Sequence, residues 1–290
     1  MPTEDLNPHS KEIDTLSAEE IIRIMNDGNL RVAEAIHAAK DSISHAIHDA
    51  IATIQSGRNL IYIGAGTSGR LGVLDASEIP PTFGVSPDVV RAIMAGGEGA
   101  LTESVEGAED DEDAGIQAVS TVRNRDMLLG IAASGSTLFT IAALKEGKRR
   151  GAKCWLLTCN DVGYDFLDGT IKLIVGPEII AGSTRLKAGT ATKIVLNMIS
   201  TVAMIKLGKV YKGYMIDVLP SNKKLRARAV GIIQEITGCR IEEAEAFLDK
   251  AGGNAKTAIV MYMKGLSHEG AKELLEKSEN SLRKALKSSF

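Results

Sequence analysis

Four short segments of this chain carry residue types that can do chemistry. The first is Gly64-Ala65-Gly66-Thr67-Ser68-Gly69-Arg70, which follows the apolar run Leu60-Ile61-Tyr62-Ile63 and precedes helix-compatible sequence. A strand, a glycine turn and a helix N-terminus make an anion site, because free N–H groups and the helix dipole point at the ligand. The second is Ala132-Ala133-Ser134-Gly135-Ser136-Thr137, again between an apolar run and a helical stretch. Its hydroxyls and N–H groups can enclose a phosphate without a lysine, although ordinary helix capping explains the same residues. The third is acidic: Glu78 in Asp75-Ala76-Ser77-Glu78-Ile79-Pro80-Pro81, and the run Glu98 to Asp113. The two prolines predict a helix end at Glu78 or Ile79. A carboxylate at such an end is disfavoured by the dipole, which raises its pKa toward that of a general acid. A solvated helix-end glutamate is the plainer alternative. Most of the acidic run must be a solvated face, and spacing does not say which member turns inward as a base. The fourth is Gly182-Ser183-Thr184-Arg185-Leu186-Lys187-Ala188-Gly189-Thr190, where Arg185 or Lys187 could meet an anion and Thr190 could stand at a helix start; exposed cations beside a cap account for it equally.

Elements that could position these segments follow from periodicity. Ala18 to Met25 reads as a short helix with Ser17 and Glu20 as a capping box, and residues 30–56 read as one long amphipathic helix. Strands are expected at 60–63, 89–94, 127–131, 154–158 and 172–175, with helices at 69–77, 115–122 and 138–149 between them. Such alternation implies a parallel sheet covered by helices on both faces, with ligands outside the strand C-termini at a switch point. A further long helix runs from Ala188 or Gly189 to Gly208, and Val210 to Pro220 reads as a connector. From Leu225 onward only short helices are expected. The division is a helical arm at 1–56, an α/β domain at 57–222 and a small helical domain at 223–290.

Composition narrows the function. The chain has 290 residues, 44% of them hydrophobic and 4% aromatic, and a net charge of -3. That charge gives no footprint for nucleic acid, so an anionic substrate must be held by local groups. The polar, acidic N-terminus does not read as a signal peptide. No segment is expected to supply the roughly 20 apolar residues of a membrane span. Cys154, Cys159 and Cys239 read as buried free thiols of a reducing cytosol, and the five histidines show no metal-ligand grouping. The first glycine loop has G-x-G-x-x-G spacing, but no ribose-binding acid ends the next strand and no second nucleotide half follows. P-loop spacing is absent as well.

Taken together, Ile63 to Gly72, Asp75 to Thr82, Ala95 to Glu98, Val105 to Asp110, Ala132 to Gly135 and Arg185 to Thr190 resemble the bacterial N-acetylmuramic acid 6-phosphate etherase family. The resemblance runs in order across nearly the whole chain. It implies a sugar isomerase (SIS) domain, a flavodoxin-like parallel sheet sandwiched by helices, with a small C-terminal helical domain. It implies cleavage of the lactyl ether of N-acetylmuramic acid 6-phosphate to N-acetylglucosamine 6-phosphate and D-lactate, by elimination and then hydration, in cell-wall sugar recycling. The family's two catalytic glutamates fall on Glu78 and Glu109. Ser134, Ser136 and Thr137 would hold the 6-phosphate, Thr67 and Ser68 would line the sugar side, and Lys187 and Thr190 complete the expected binding set. No cofactor or metal is implied. The expected partners are a sugar phosphate and a second copy of the chain, in the cytoplasm, with neither nucleic acid nor membrane. One departure is the start, Thr3-Glu4-Asp5-Leu6-Asn7-Pro8, where family members often carry arginine before Asn-Pro. A sugar-phosphate aldose–ketose isomerase and a non-catalytic sugar-phosphate sensor are the competing readings.

Overall fold

The computed structural model describes residues 2–220 and 222–288, which divide into two compact units. The first comprises Met1–Ser77 and Pro87–Ser200; the second comprises Glu78–Ser86 and Thr201–Phe290.

Two helices open the first unit, α1 (Ala18–Ala38) and α2 (Lys40–Gln55). The capping box at Ser17 and Glu20 forms as expected, but the break falls at Ala39 and not before residue 30. Gly28 stays inside α1 because one glycine costs a helix only about 1 kcal/mol, which packing offsets. β1 (Leu60–Gly64), α3 (Gly66–Phe83), β2 (Val90–Met94), α4 (Glu112–Ala118), β3 (Met127–Ile131), α5 (Leu138–Arg149), β4 (Lys153–Thr158) and β5 (Gly169–Lys172) follow in alternation, and then α6 (Lys187–Lys206). The five strands form one parallel sheet in the order β2-β1-β3-β4-β5. Every strand residue from β1 and β3 is buried, as a sheet covered on both faces requires.

Side-chain alternation sorts the two faces. Ile61, Ile63, Leu128, Cys154 and Leu156 pack with Val119, Phe139, Ala143 and Leu144 of the α4–α5 side. On the opposite face the Trp155 indole donates to Asp49 of α2 (3.0 Å), and Gly72 lets α3 lie directly on Tyr62. Three expectations shift. α3 runs through Pro80 and Pro81 to Phe83, so Glu78 lies five residues short of the helix end and the helix-end argument for its acidity has no basis here. α4 starts at Glu112 because Asp111 caps it, accepting from Ala114 N at 2.8 Å. The last strand is Gly169–Lys172; Leu173 N makes the final bond to β4, donating to the Thr158 carbonyl at 2.8 Å, and Val175 is buried beyond the end of β4.

α6 corrects another expectation. Among the described residues it is the one helix long and apolar enough to cross a membrane by length and composition. It is nevertheless 56% buried over that window, with Val195, Leu196 and Ile199 fully enclosed, as a core helix is.

In the second unit a short hairpin, β6 (Val210–Tyr211) with β7 (Tyr214–Met215), stands where a plain connector was expected. Helices α7 (Lys223–Thr237), α8 (Ile241–Lys250), α9 (Ala255–Lys264), α10 (His268–Lys277) and α11 (Leu282–Lys287) pack around Ile233, Ala244, Leu248, Ile259 and Ala271. Gly238 and Gly265 end α7 and α9 in the left-handed conformation.

The three cysteines are free and buried. Burial pushes the thiols of Cys154 and Cys159 up to about 12. At pH 8 such a thiol is ionised to roughly one part in ten thousand, and only the thiolate is nucleophilic. With Cys239 shielded by burial as well, native protein is expected to resist iodoacetamide at pH 8 and to take up three equivalents in guanidinium chloride. A thiol alkylated at the rate of free cysteine in the native protein would contradict this packing.

Candidate active site

The strand order reverses between β1 and β3: the chain leaves β1 for β2 on one side and crosses to β3, β4 and β5 on the other. Both glycine loops leave the sheet at this switch point, where α/β sheets bind ligands. Gly64 pairs with Ile131 at the ends of the two strands, so the loops start side by side.

The second loop is held largely by its neighbours, with one bond through a hydroxyl of its own. The Ala133 carbonyl accepts from Thr158 Oγ1 (3.2 Å), Asn160 Nδ2 (2.9 Å) and Cys159 N (2.9 Å). The Tyr164 hydroxyl donates to the Gly135 carbonyl at 3.0 Å. Gly135 has φ +79°, and a Cβ there would sit 2.8 Å from Thr158 Oγ1, so only glycine fits. Ser134 Oγ accepts from Ser136 N at 3.2 Å, and Thr137 is the N-cap of α5 without a side-chain capping bond. This leaves hydroxyls at the positive end of a helix of 12 residues.

Glu109 is fixed beside this loop through its main chain. Its carbonyl accepts from Phe139 N, in the first turn of α5, at 3.0 Å. Gly115 permits that approach, since a Cβ there would strike the Phe139 carbonyl. The Glu109 side chain is exposed. Of the eight acids between Glu98 and Asp113, this is the one whose backbone is tied to α5.

Thr67 and Ser68 lie in the first turn of α3 and are half-buried. Thr67 Cγ2 lies 3.6 Å from where a Cβ on Gly189 would be, which brings the first loop and the start of α6 together. Arg70 reaches outward, donating to the carbonyls of Leu101 (3.1 Å) and Glu103 (2.9 Å), and so clamps the front of the acidic loop. Glu78 is exposed on the same helix as Thr67, about three turns further on.

Lys187 lies elsewhere than an anion-binding role requires. It is buried, and Nζ donates to the carbonyls of Pro177 (2.7 Å) and Val175 (3.0 Å). Burial lowers its pKa, against the pull of Glu178. Glu178, fully buried, accepts from Lys187 N (3.2 Å) and Ala188 N (2.9 Å) and so already supplies the anion for the N-terminus of α6. Thr190 Oγ1 donates to the Leu186 carbonyl at 2.9 Å, with the side chain exposed.

Several residues that build the site have no sequence signal. Asn160 joins the Ala133 carbonyl to Thr3, donating to Thr3 Oγ1 at 2.9 Å, so the N-terminal arm braces the second loop. Thr3 is fully buried and its carbonyl accepts from Gly182 N at 3.1 Å. Asp75 is buried, and its carboxylate accepts from the Tyr62 hydroxyl (2.9 Å), Asn197 Nδ2 (2.6 Å) and Ser200 Oγ (3.1 Å). It thereby ties α3 to β1 and α6.

A flavodoxin-like sheet with paired glycine loops at its switch point defines a SIS-type domain. Residues 42–148 match the family described as the glucokinase regulatory protein N-terminal SIS domain. A phosphoheptose isomerase from Francisella tularensis superposes with a TM-score of 0.52 at 18% identity, covering 66% of this chain and all of that one; this likeness concerns the fold alone. Over the whole chain the similarity is much closer. An N-acetylmuramic acid 6-phosphate etherase of Geobacillus thermodenitrificans is 47% identical across 99% of this chain and 98% of its own length. N-acetylmuramic acid 6-phosphate etherase 1 of Bacillus licheniformis is 48% identical across 99% and 95%. The chain belongs to the N-acetylmuramic acid 6-phosphate etherase family.

Proposed function

We propose that Glu78 and Glu109 are the acid–base pair of a carbon–oxygen lyase whose substrate phosphate rests on Ser134, Ser136 and Thr137. The chain acts on N-acetylmuramic acid 6-phosphate, cleaving its D-lactyl ether to N-acetylglucosamine 6-phosphate and D-lactate. The observation that carries this reading is the full-length relatedness to etherases, joined to the tether between Glu109 and α5.

In the open-chain sugar the C2 hydrogen lies alpha to the C1 aldehyde. Glu109 takes that proton, Glu78 protonates the departing lactate oxygen, and an α,β-unsaturated aldehyde results. Water then adds at C3. Two carboxyl groups in opposite protonation states suffice for these proton transfers. Thr67, Ser68 and Thr190 line the sugar side. Lys187, with its ammonium bound to two carbonyls, supports the wall and leaves phosphate binding to hydroxyls and N–H groups. The protein works in the cytoplasm as a homodimer, recycling cell-wall sugar.

The test is a D-lactate assay with N-acetylmuramic acid 6-phosphate in ¹⁸O-water. Stoichiometric D-lactate, with the label at C3 of the product sugar, is the expected result. Label in lactate would overturn elimination followed by hydration, and a ketose without lactate would identify an isomerase.

A further inference from the structure

The turn of α3 that bears Glu78 is poorly held by its own helix. Pro80 and Pro81 have no N–H, so the carbonyls of Ala76 and Ser77 lack the helical donors they would otherwise have. The support comes from the rest of the second unit. Gly84, just past the helix, donates its N–H to the Pro80 carbonyl at 2.9 Å and has φ +61°. It lies against the Asp217 carbonyl so closely that any Cβ would collide with it. Asp217 is fixed in turn. Its Oδ2 is 2.5 Å from Lys256 Nζ and 3.3 Å from Lys209 Nζ, and it is 8% exposed. Lys256, 4% exposed, also donates Nζ to the Asn280 carbonyl (3.2 Å) and its main-chain N–H to the Ile216 carbonyl (3.1 Å). Burial lowers the Lys256 pKa and Asp217 opposes that shift. The Asp217–Lys256 pair thus joins the chain just after the hairpin to α9 and to Lys209 after α6, and Lys256 extends the link to the turn between α10 and α11.

A buried ion pair adds little net stability compared with an apolar pair of the same shape, and its best-attested use is to fix one arrangement among several. Here it stands against the single glycine that closes the weakened turn. We infer that Asp217 and Lys256 are positioning residues for the reaction: through Gly84 they hold the α3 turn that presents Glu78, and this is the catalytic purpose of the helical unit. The inference rests on the assignment of Glu78 as a catalytic residue.

The test compares steady-state kinetics of Lys256→Met, Gly84→Ala, Leu274→Ala and Glu78→Gln with the parent enzyme, at a temperature where circular dichroism shows each to be folded. Leu274 belongs to the apolar core of the unit, carries no side-chain partner of the ion pair, and controls for general loosening of the unit. Lys256→Met and Gly84→Ala are expected to lower kcat about tenfold, the scale of a small misplacement of a catalytic group, with KM within about twofold. Leu274→Ala is expected to keep the parent kcat. Unchanged kcat in Lys256→Met and Gly84→Ala overturns the inference, as does an equal loss in Leu274→Ala. If Lys256→Met does not fold, Gly84→Ala carries the same comparison. Full activity of Glu78→Gln would instead overturn the catalytic assignment, so the two failures are distinct.

Discussion

Glu78→Gln and Glu109→Gln are each expected to lower D-lactate release by about 10²- to 10⁴-fold, the range that one general acid or base contributes. Glutamine keeps the side-chain volume and a hydrogen-bonding end but can neither take nor give the proton. Both side chains are exposed, so neither change should unfold the protein. Product-phosphate binding should survive, because Ser134, Ser136 and Thr137 and the braces behind them are untouched. The two variants also separate the roles. With Glu109 as base, Glu109→Gln loses exchange of the substrate C2 hydrogen with deuterated water, whereas Glu78→Gln keeps exchange and loses lactate release. The reverse pattern would exchange the roles, and full activity in either variant would remove that residue from the mechanism.

Asp75→Ala is expected to be the most damaging change outside the acid–base pair, by a different route. The carboxylate is 5% exposed and accepts three hydrogen bonds, from β1 and from two positions one turn apart on α6. Removing it leaves the Tyr62 hydroxyl, Asn197 and Ser200 facing a void, and Tyr62 is wholly buried. Leaving neutral buried donors without their acceptor costs about 1–3 kcal/mol for each group, or about 3–5 kcal/mol for the three together. In a protein of this size that loss lowers the melting temperature by roughly 5–8 °C. Asp75→Asn should fall between, since its carbonyl oxygen still accepts from Asn197 or Ser200 and the Tyr62 hydroxyl can turn to accept from the new amide. Differential scanning calorimetry of the three proteins checks the order. Equal melting temperatures for Asp75→Ala and the parent would show that the network carries no stability. The Asp75 carboxylate also strengthens the case that Tyr62 stays protonated: burial first, and then the adjacent negative charge, pushes the phenol well above its usual value.

Local chemistry made much of this protein legible in its sequence. Strands such as Met127–Ile131 and helices such as Leu138–Arg149 announce themselves because apolar periodicity and turn residues agree there. The alternation of strand and helix dictates a parallel sheet, and the glycine loops mark where its strands end. The run through Pro80 and Pro81 was not legible, since proline disfavours a continuing helix and only outside contacts of the kind Gly84 and Asp217 make can sustain it. Nor was the fate of Lys187, because a cation beside hydroxyls reads the same whether it meets a phosphate or, as here, two buried carbonyls.

The residues and their order by themselves determined the class of fold and the family, and marked Glu78 and Glu109 as the glutamates proposed for catalysis. The tertiary structure decided what is non-local. Glu109 is tied to α5, the helix that follows the second glycine loop, by a main-chain bond across 30 positions, Phe139 to Glu109. Asp75 finds partners 122 and 125 positions away. Asn160 bridges 157 positions to the N-terminal arm. Such contacts depend on which elements the sheet order brings together, and no pattern within a window of sequence encodes them.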